Sequence, residues 1–208
     1  MPMPEFPSPG GTRQPTAVRQ AAIVAAVFQL AGERSPAHIT TGDIAAALGI
    51  TQGAVFRHFP SKEAIWLAAM GWVHAELMQR LGAAVQPQGD ALDALAAMFR
   101  AHVDFVTEHP GVPRVIFQEL QQPGDSAVKQ AVRGLLQDYR SLLHRQLAQA
   151  VAKAEVPADL DQDAAATLFI GIVQGLVMQS MLSGMPGQMP AQAERIFTLY
   201  LRGLREPS

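Results

Sequence analysis

The chain contains no cysteine. That excludes disulfides, thiolate metal sites and cysteine nucleophiles, and it fits a reducing compartment. Charge is scarce as well: 16% of the 208 residues are Asp, Glu, Lys or Arg, and the formal net charge is −2. Such a balance gives no global pull toward nucleic acid or an anionic membrane, so any attraction of that kind must come from a local patch. Convincing strand alternation is missing, as is any internal repeat. The sequence also has no G-x-S-x-G, H-E-x-x-H or P-loop, which removes the usual supports for an enzyme. His102 and His109 stand seven apart with no partner at helical four-residue spacing, so no metal site is expected, and no cofactor.

What is present is apolar periodicity. Hydrophobic residues make up 49% of the chain, enough to bury a substantial core. The opening "MPMPEFPSPGGTRQP" is too rich in Pro and Gly for a helix and lacks the apolar centre of a signal peptide, so a flexible arm over residues 1–15 and a cytoplasmic location are expected. The stretch "AAATLFIGIVQGLVMQSML" (164–182) raises a transmembrane question. Gln174, Gln179 and Ser180 argue against insertion, as do flanking Asp161 and Asp163 and the lack of a Lys/Arg cluster. A helix apolar all round in a soluble protein is buried in a core or in an oligomer interface.

Apolar residues recur at three- and four-residue spacing almost everywhere, which predicts an all-α protein of nine helices. Thr16 is expected to cap the first, whose stripe runs through Ile23, Val24, Val27 and Phe28 to Gly32. The second starts at "ITTGD": Thr40 as N-cap with Asp43 forms a capping box, and Ile39 and Ile44 occupy the staple positions. Gly49 supplies a left-handed turn, Thr51 caps a short third helix, and Ser61 caps a long fourth. Five more are expected at about 89–108, 112–121, 126–153, 161–183 and 190–205, separated by Pro- and Gly-containing breaks such as "QPQGD", "HPGVP" and "SGMPGQMP".

The third helix is the odd one. Bounded by Gly49 and Pro60, it has room for about two turns, below the length at which a helix is stable alone. Two short helices joined by a tight glycine turn form a helix-turn-helix, which places its second helix in the DNA major groove. Ala45 is small where the helices cross, while Ile44, Leu48, Ile50 and Val55 point inward. Outward stand Gln52, Gly53, Ala54, Arg57 and His58. Gln pairs with adenine, Arg with guanine or phosphate, and Gly or Ala admits close approach. The helix starts at Thr40, Thr41 and at Ser61, Lys62 are placed to grip phosphates on either side of the groove. Residues 1–62 are mildly basic: Arg13, Arg19, Arg34, Arg57 and Lys62 stand against Glu5, Glu33 and Asp43.

The segment "ITTGDIAAALGITQGAVFRHFPSKEAIW" resembles the DNA-binding segment of the TetR family of bacterial transcriptional regulators. The nine-helix pattern is similar too. The resemblance implies DNA contacts at the positions of Thr40, Gln52, Gly53, Phe56, Arg57, His58 and Lys62, to which the helix-turn-helix reading adds Thr41, Thr51 and Ala54. Phe56 stands where the family commonly has Tyr, so it is expected to pack or to make an apolar contact. Implied domains are the helix-turn-helix over 16–62 and a helical ligand-binding and dimerisation domain over 63–208. The implied function is a homodimeric repressor that leaves a palindromic double-stranded operator when a small effector binds.

For the larger domain, Met98, His102, Phe105, Phe117, Tyr139 and Met178 are expected to line an effector pocket, being a mixture of flexible, aromatic and isolated polar groups. The resemblance implies that the eighth and ninth helices form the dimer interface, expected from Phe169, Gly171, Ile172, Gly175 and Met178 on the eighth with Phe197, Tyr200 and Leu201 on the ninth. Two glycines four apart let helices approach closely. Alternative readings are a helical small-molecule enzyme or binding protein with a structural helix-turn-helix, and a membrane-associated protein built around 164–182.

Overall fold

The computed structural model describes residues 15–85 and 89–205. The arm expected over residues 1–15 therefore lies outside the described residues but for Pro15, as do Gln86, Pro87 and Gln88 of the "QPQGD" break. Among the described residues the structure is all-helical, with nine α-helices, two short 3₁₀ turns and no strand. The helices are α1 (Thr16–Glu33), α2 (Thr41–Ala47), α3 (Gln52–Phe56), α4 (Lys62–Ala84), α5 (Ala91–Glu108), α6 (Gly111–Leu120), α7 (Ala127–Ala152), α8 (Gln162–Ser183) and α9 (Met189–Arg205).

Most ends follow local chemistry. Asp161 caps α8, its carboxylate accepting from the Ala164 N–H at 2.9 Å, and left-handed Gly184 (φ 66°) closes that helix. The start of α1 differs from expectation. Pro15 is the N-cap, Thr16 is already helical, and no side chain caps the helix. Residues 15–18 are exposed, so water takes the place of a side-chain cap for the first N–H groups of the helix.

Contacts divide the described residues into two compact units, one within 15–76 and 109–133 and the other within 77–108 and 134–205. The division differs from a cut at residue 62, because α6 and the start of α7 group with the N-terminal helices. In the first unit, α1 buries Ile23, Ala26, Val27 and Phe28, and Phe28 lies against Trp72 with ring centroids 5.4 Å apart. α6 approaches α1 very closely. A Cβ added at Gly111 would lie 2.0 Å from the Phe28 carbonyl oxygen, so only glycine fits that crossing.

The second unit is built around aromatic rings. Phe99 of α5 stacks on Phe197 of α9 at 4.3 Å, while Phe169 of α8 meets Phe99 and Tyr200 edge-on at 5.6 and 5.8 Å. The Tyr200 hydroxyl donates to the Ala165 carbonyl at 3.1 Å, which satisfies the polar atom of a buried ring. At the far side of this unit, Glu155 accepts from the N–H groups of Ala91 and Leu92 at 3.1 and 2.9 Å and so caps α5 from a distant loop.

Candidate nucleic-acid interface

The helix pair α2–α3 is assembled from its caps inward. Thr40 Oγ1 accepts from the Asp43 N–H at 3.1 Å and the Asp43 carboxylate accepts from the Thr40 N–H at 2.8 Å, so both halves of the capping box are closed. The Thr40 hydroxyl and N–H, followed by the Arg34 guanidinium 3.1 Å away, hold the Asp43 carboxyl below its usual range. Ile39 and Ile44, the staple pair, are fully buried. Gly49 has φ 63°, and the Ile50 N–H returns to the Ala45 carbonyl at 3.0 Å, closing the turn. Thr51 caps α3 through the Ala54 N–H at 3.2 Å, and Ser61 caps α4 through the Ala64 N–H at 3.1 Å.

Packing leaves α3 with two faces. Val55 is fully buried, with Phe59 just beyond the helix also buried, whereas Gln52, Gly53, Phe56 and Arg57 are exposed and Ala54 and His58 half-buried. Thr40 and Thr51 are exposed at the helix starts, and Lys62 is half-buried. A Cβ on Gly53 would meet nothing closer than Thr51 Oγ1 at 4.0 Å, so the protein's own packing does not demand glycine there. Gln20 of α1 donates to the His58 carbonyl at 3.1 Å and fastens the turn after α3 to the first helix.

Thr41 needs correction. Its residue is buried, and its hydroxyl accepts from Gln52 Nε2 at 2.6 Å, so it orients Gln52 instead of facing outward. One of the two amide N–H donors of Gln52 is committed to that bond, which leaves the other donor and the oxygen for a partner. Lys62 also has an unforeseen neighbour. Its ammonium lies over the Trp66 ring, 5.7 Å from the centroid, a cation–π distance.

The expected effector residues separate. Phe117 belongs with α6 to the first unit, apart from the other five in grouping. Met178 is 44% exposed on α8. In the second unit Met98, Phe105 and Tyr139 are buried, and His102 Nδ1 and Tyr139 Oη share a hydrogen bond of 3.0 Å. Burial drives the His102 imidazole down to about 4 and the Tyr139 phenol well above its ordinary range. Arg80 lies 5.5 Å over the Phe105 ring and 2.7 Å from Glu108. No sequence signal links His102 to Tyr139, because the two sit 37 residues apart on different helices.

The expected dimer residues also split by face. Phe169, Phe197 and Tyr200 are buried in the aromatic core of a single chain and are not surface groups, a correction to their expected role. Gly171, Gly175 and Met178 are exposed, and Ile172 and Leu201 half-buried. The surface face of α8 continues through Leu168 and Leu182, 55% and 76% exposed. A helix with an apolar buried stripe and a second apolar stripe in water explains why its sequence is apolar all round. α8 is long and apolar enough to cross a membrane by length and composition, with 39% of its apolar window buried.

A short helix with a polar, small outer face, held by a capped partner and a left-handed turn, defines a helix-turn-helix protein. A family model described as "Bacterial regulatory proteins, tetR family" matches residues 23–69, and one described as "Tetracyclin repressor-like, C-terminal domain" matches residues 91–196. The chain belongs to the TetR family and is a DNA-binding transcriptional regulator. Among relatives, it is 22% identical over 152 residues to the nucleoid occlusion factor SlmA of Shewanella pealeana, covering 73% of this chain and 77% of that one. Among solved structures, the fatty acid degradation regulator FadR of Bacillus halodurans superposes with TM-score 0.78 at 18% identity, covering 95% and 100% of the two chains. FadR of Bacillus subtilis, solved with stearoyl-CoA, gives TM-score 0.77 at 19% identity over 88% and 97%. At these identities the solved structures establish a common fold.

Proposed function

We propose that the protein is a cytoplasmic, homodimeric repressor whose α3 enters the major groove of a palindromic operator and whose release is driven by a small effector. The carrying observation is the outer face of α3: Gln52, Gly53 and Arg57 are exposed, and Gly53 has open space where a side chain would stand. Gln52 and Arg57 address base edges or phosphate, Gly53 and Ala54 admit the DNA, Phe56 makes an apolar contact, and His58 flanks them. Thr40, Thr51 and Lys62 take the phosphates. DNA recognition is assigned to residues 16–62, and effector binding and dimerisation to 63–208. One short helix spans only a few base pairs, and pairing two of them about 34–36 Å apart supplies the palindrome.

The effector is assigned to the second unit near the His102–Tyr139 pair, a polar spot beside Met98 and Phe105. An apolar or acyl-bearing molecule suits such a mixture of apolar side chains and one polar pair, and the stearoyl-CoA in the related B. subtilis structure supports the choice. The effector need only prefer a dimer whose reading helices are wrongly spaced. The test is fluorescence anisotropy on the DNA upstream of the protein's own gene, against random duplex and across a salt series. Arg57→Ala is expected to weaken specific binding by about 1–3 kcal/mol and to flatten the salt dependence if Arg57 meets phosphate. Equal binding to random DNA, or an unchanged affinity and slope in the variant, overturns the assignment.

A further inference from the structure

The first unit contains an open cleft of about 300 Å³. It lies between the 3₁₀ turn Pro36–His38, the start of α4, and the segment where α6 passes into α7. The floor is apolar: Pro36, Val115 and Val128 are buried. Trp66, Lys62, Gln118 and Gln122 are among the other residues that line the cleft. That combination of apolar floor and few polar groups, at the small end of ligand-site volumes, fits a one-ring molecule.

The rim is braced. Lys129 Nζ donates to the Gly124 carbonyl at 2.7 Å and also to that of Gln122. Arg133 pairs with Asp125 at 2.6 Å, and the Ser126 hydroxyl donates to Glu119, the one carboxylate in the lining. Lys129 is thereby committed to carbonyls and Glu119 to a hydroxyl. Lys62 is different. Its ammonium rests over the Trp66 ring, and a ring face attracts charge without offering lone pairs to the three N–H donors.

We propose that this cleft is a second ligand site, in the DNA-binding unit, for a small aromatic carboxylate: the ring lies against Trp66, Val115 and Val128, the carboxylate accepts from Lys62 Nζ, and an occupied site draws Lys62 away from DNA. The part concerning DNA rests on the reading of Lys62 as a phosphate contact. A carboxylate adds a charge-assisted hydrogen bond to the cation–π contact without dislodging the ammonium from the ring, so both attractions act together. Gln118 and Gln122 also line the cleft and carry amides for polar ring substituents, Gln122 Nε2 donating already to the Gln118 carbonyl.

The probe is benzoate, with benzamide as its uncharged match, titrated into the full-length protein and followed by the indole N–H signals in ¹H–¹⁵N spectra. The chain has two tryptophans, and Trp72→Phe assigns the Trp66 signal. Benzoate is expected to shift the Trp66 signal saturably, leaving Trp72 in place. Benzamide, or benzoate with Lys62→Gln, is expected to bind at least about fivefold more weakly. Glu119→Gln is expected to bind benzoate more tightly, since a like charge leaves the lining. A Trp66 signal that stays still, or that moves equally for benzamide or in Lys62→Gln, overturns the site. For the DNA effect, benzoate is expected to raise the Kd of a short duplex for the wild-type protein and not for Lys62→Gln. If Lys62→Gln alone leaves duplex affinity unchanged, the phosphate reading of Lys62 and the coupling fall while the spectra still decide the site. If Lys62→Gln weakens DNA binding but benzoate has no effect, the coupling alone falls.

Discussion

Gly53 shows how one residue separates the demands of folding from those of binding. Its position has open space in the free protein, so Gly53→Ala should keep the fold and gain up to about 1 kcal/mol from helix propensity. The same methyl would stand where α3 is proposed to meet DNA. Urea titration is expected to show unchanged or higher stability, and anisotropy a weaker operator complex. Loss of stability would mean that the glycine serves the fold. His102 is a residue of the opposite kind, defined by its surroundings. Its folded pKa of about 4 lies below the ordinary 6.5, so the unfolded chain binds the extra proton between those values. Stability is therefore full above pH 6.5 and falls as pH drops toward 4, by about 3 kcal/mol over that window. Denaturant midpoints at pH 7 and pH 4.5 are expected to differ more for the wild-type protein than for His102→Gln. Equal pH dependence in both would place the acid sensitivity elsewhere.

Among the elements, α6 is the one whose position depends most on a single atom. Gly111 lies where a Cβ would be 2.0 Å from the Phe28 carbonyl oxygen, and backbone cannot yield as a flexible side chain does. Gly111→Ala is expected to cost about 1–3 kcal/mol by forcing α6 off α1. A thermal melt checks the cost, and an unchanged melting temperature would show that the helices separate freely. α3 has the reverse dependence: five residues cannot hold a helix alone. Thr51, buried Val55 and the Gln52–Thr41 bond keep it in place.

At the scale of the whole molecule, the exposed apolar face of α8 is left uncovered by the single chain. Leu168, Gly171, Gly175, Met178 and Leu182 present apolar or small surface to water, and a stripe of that kind marks an interaction site. Leu168→Glu is expected to yield a folded monomer, with sedimentation velocity showing loss of the dimer while helical circular dichroism stays unchanged. Phe169, one position on, is buried, so Phe169→Ala is expected to lose about 3–5 kcal/mol of fold stability. A Leu168→Glu protein that remains dimeric would move the interface to another surface.

The sequence by itself determined the helices and the polar outer face of α3. Capping box, staple, left-handed Gly49 and the caps Thr51 and Ser61 act within a few residues, and local chemistry of that range is written in chain order. The all-helical class followed from apolar spacing for the same reason. What only the tertiary structure decided is which face of an element meets which neighbour. α8 is apolar on both sides, so its periodicity could not separate buried Phe169 from exposed Leu168 and Gly171. Thr41 looked like a phosphate contact until Gln52 was brought onto it across the turn. His102 met Tyr139, and Lys62 and Trp66 came to share a cleft with Val115 and Val128. Contacts between residues far apart in sequence arise from packing many elements at once, and no local pattern encodes them.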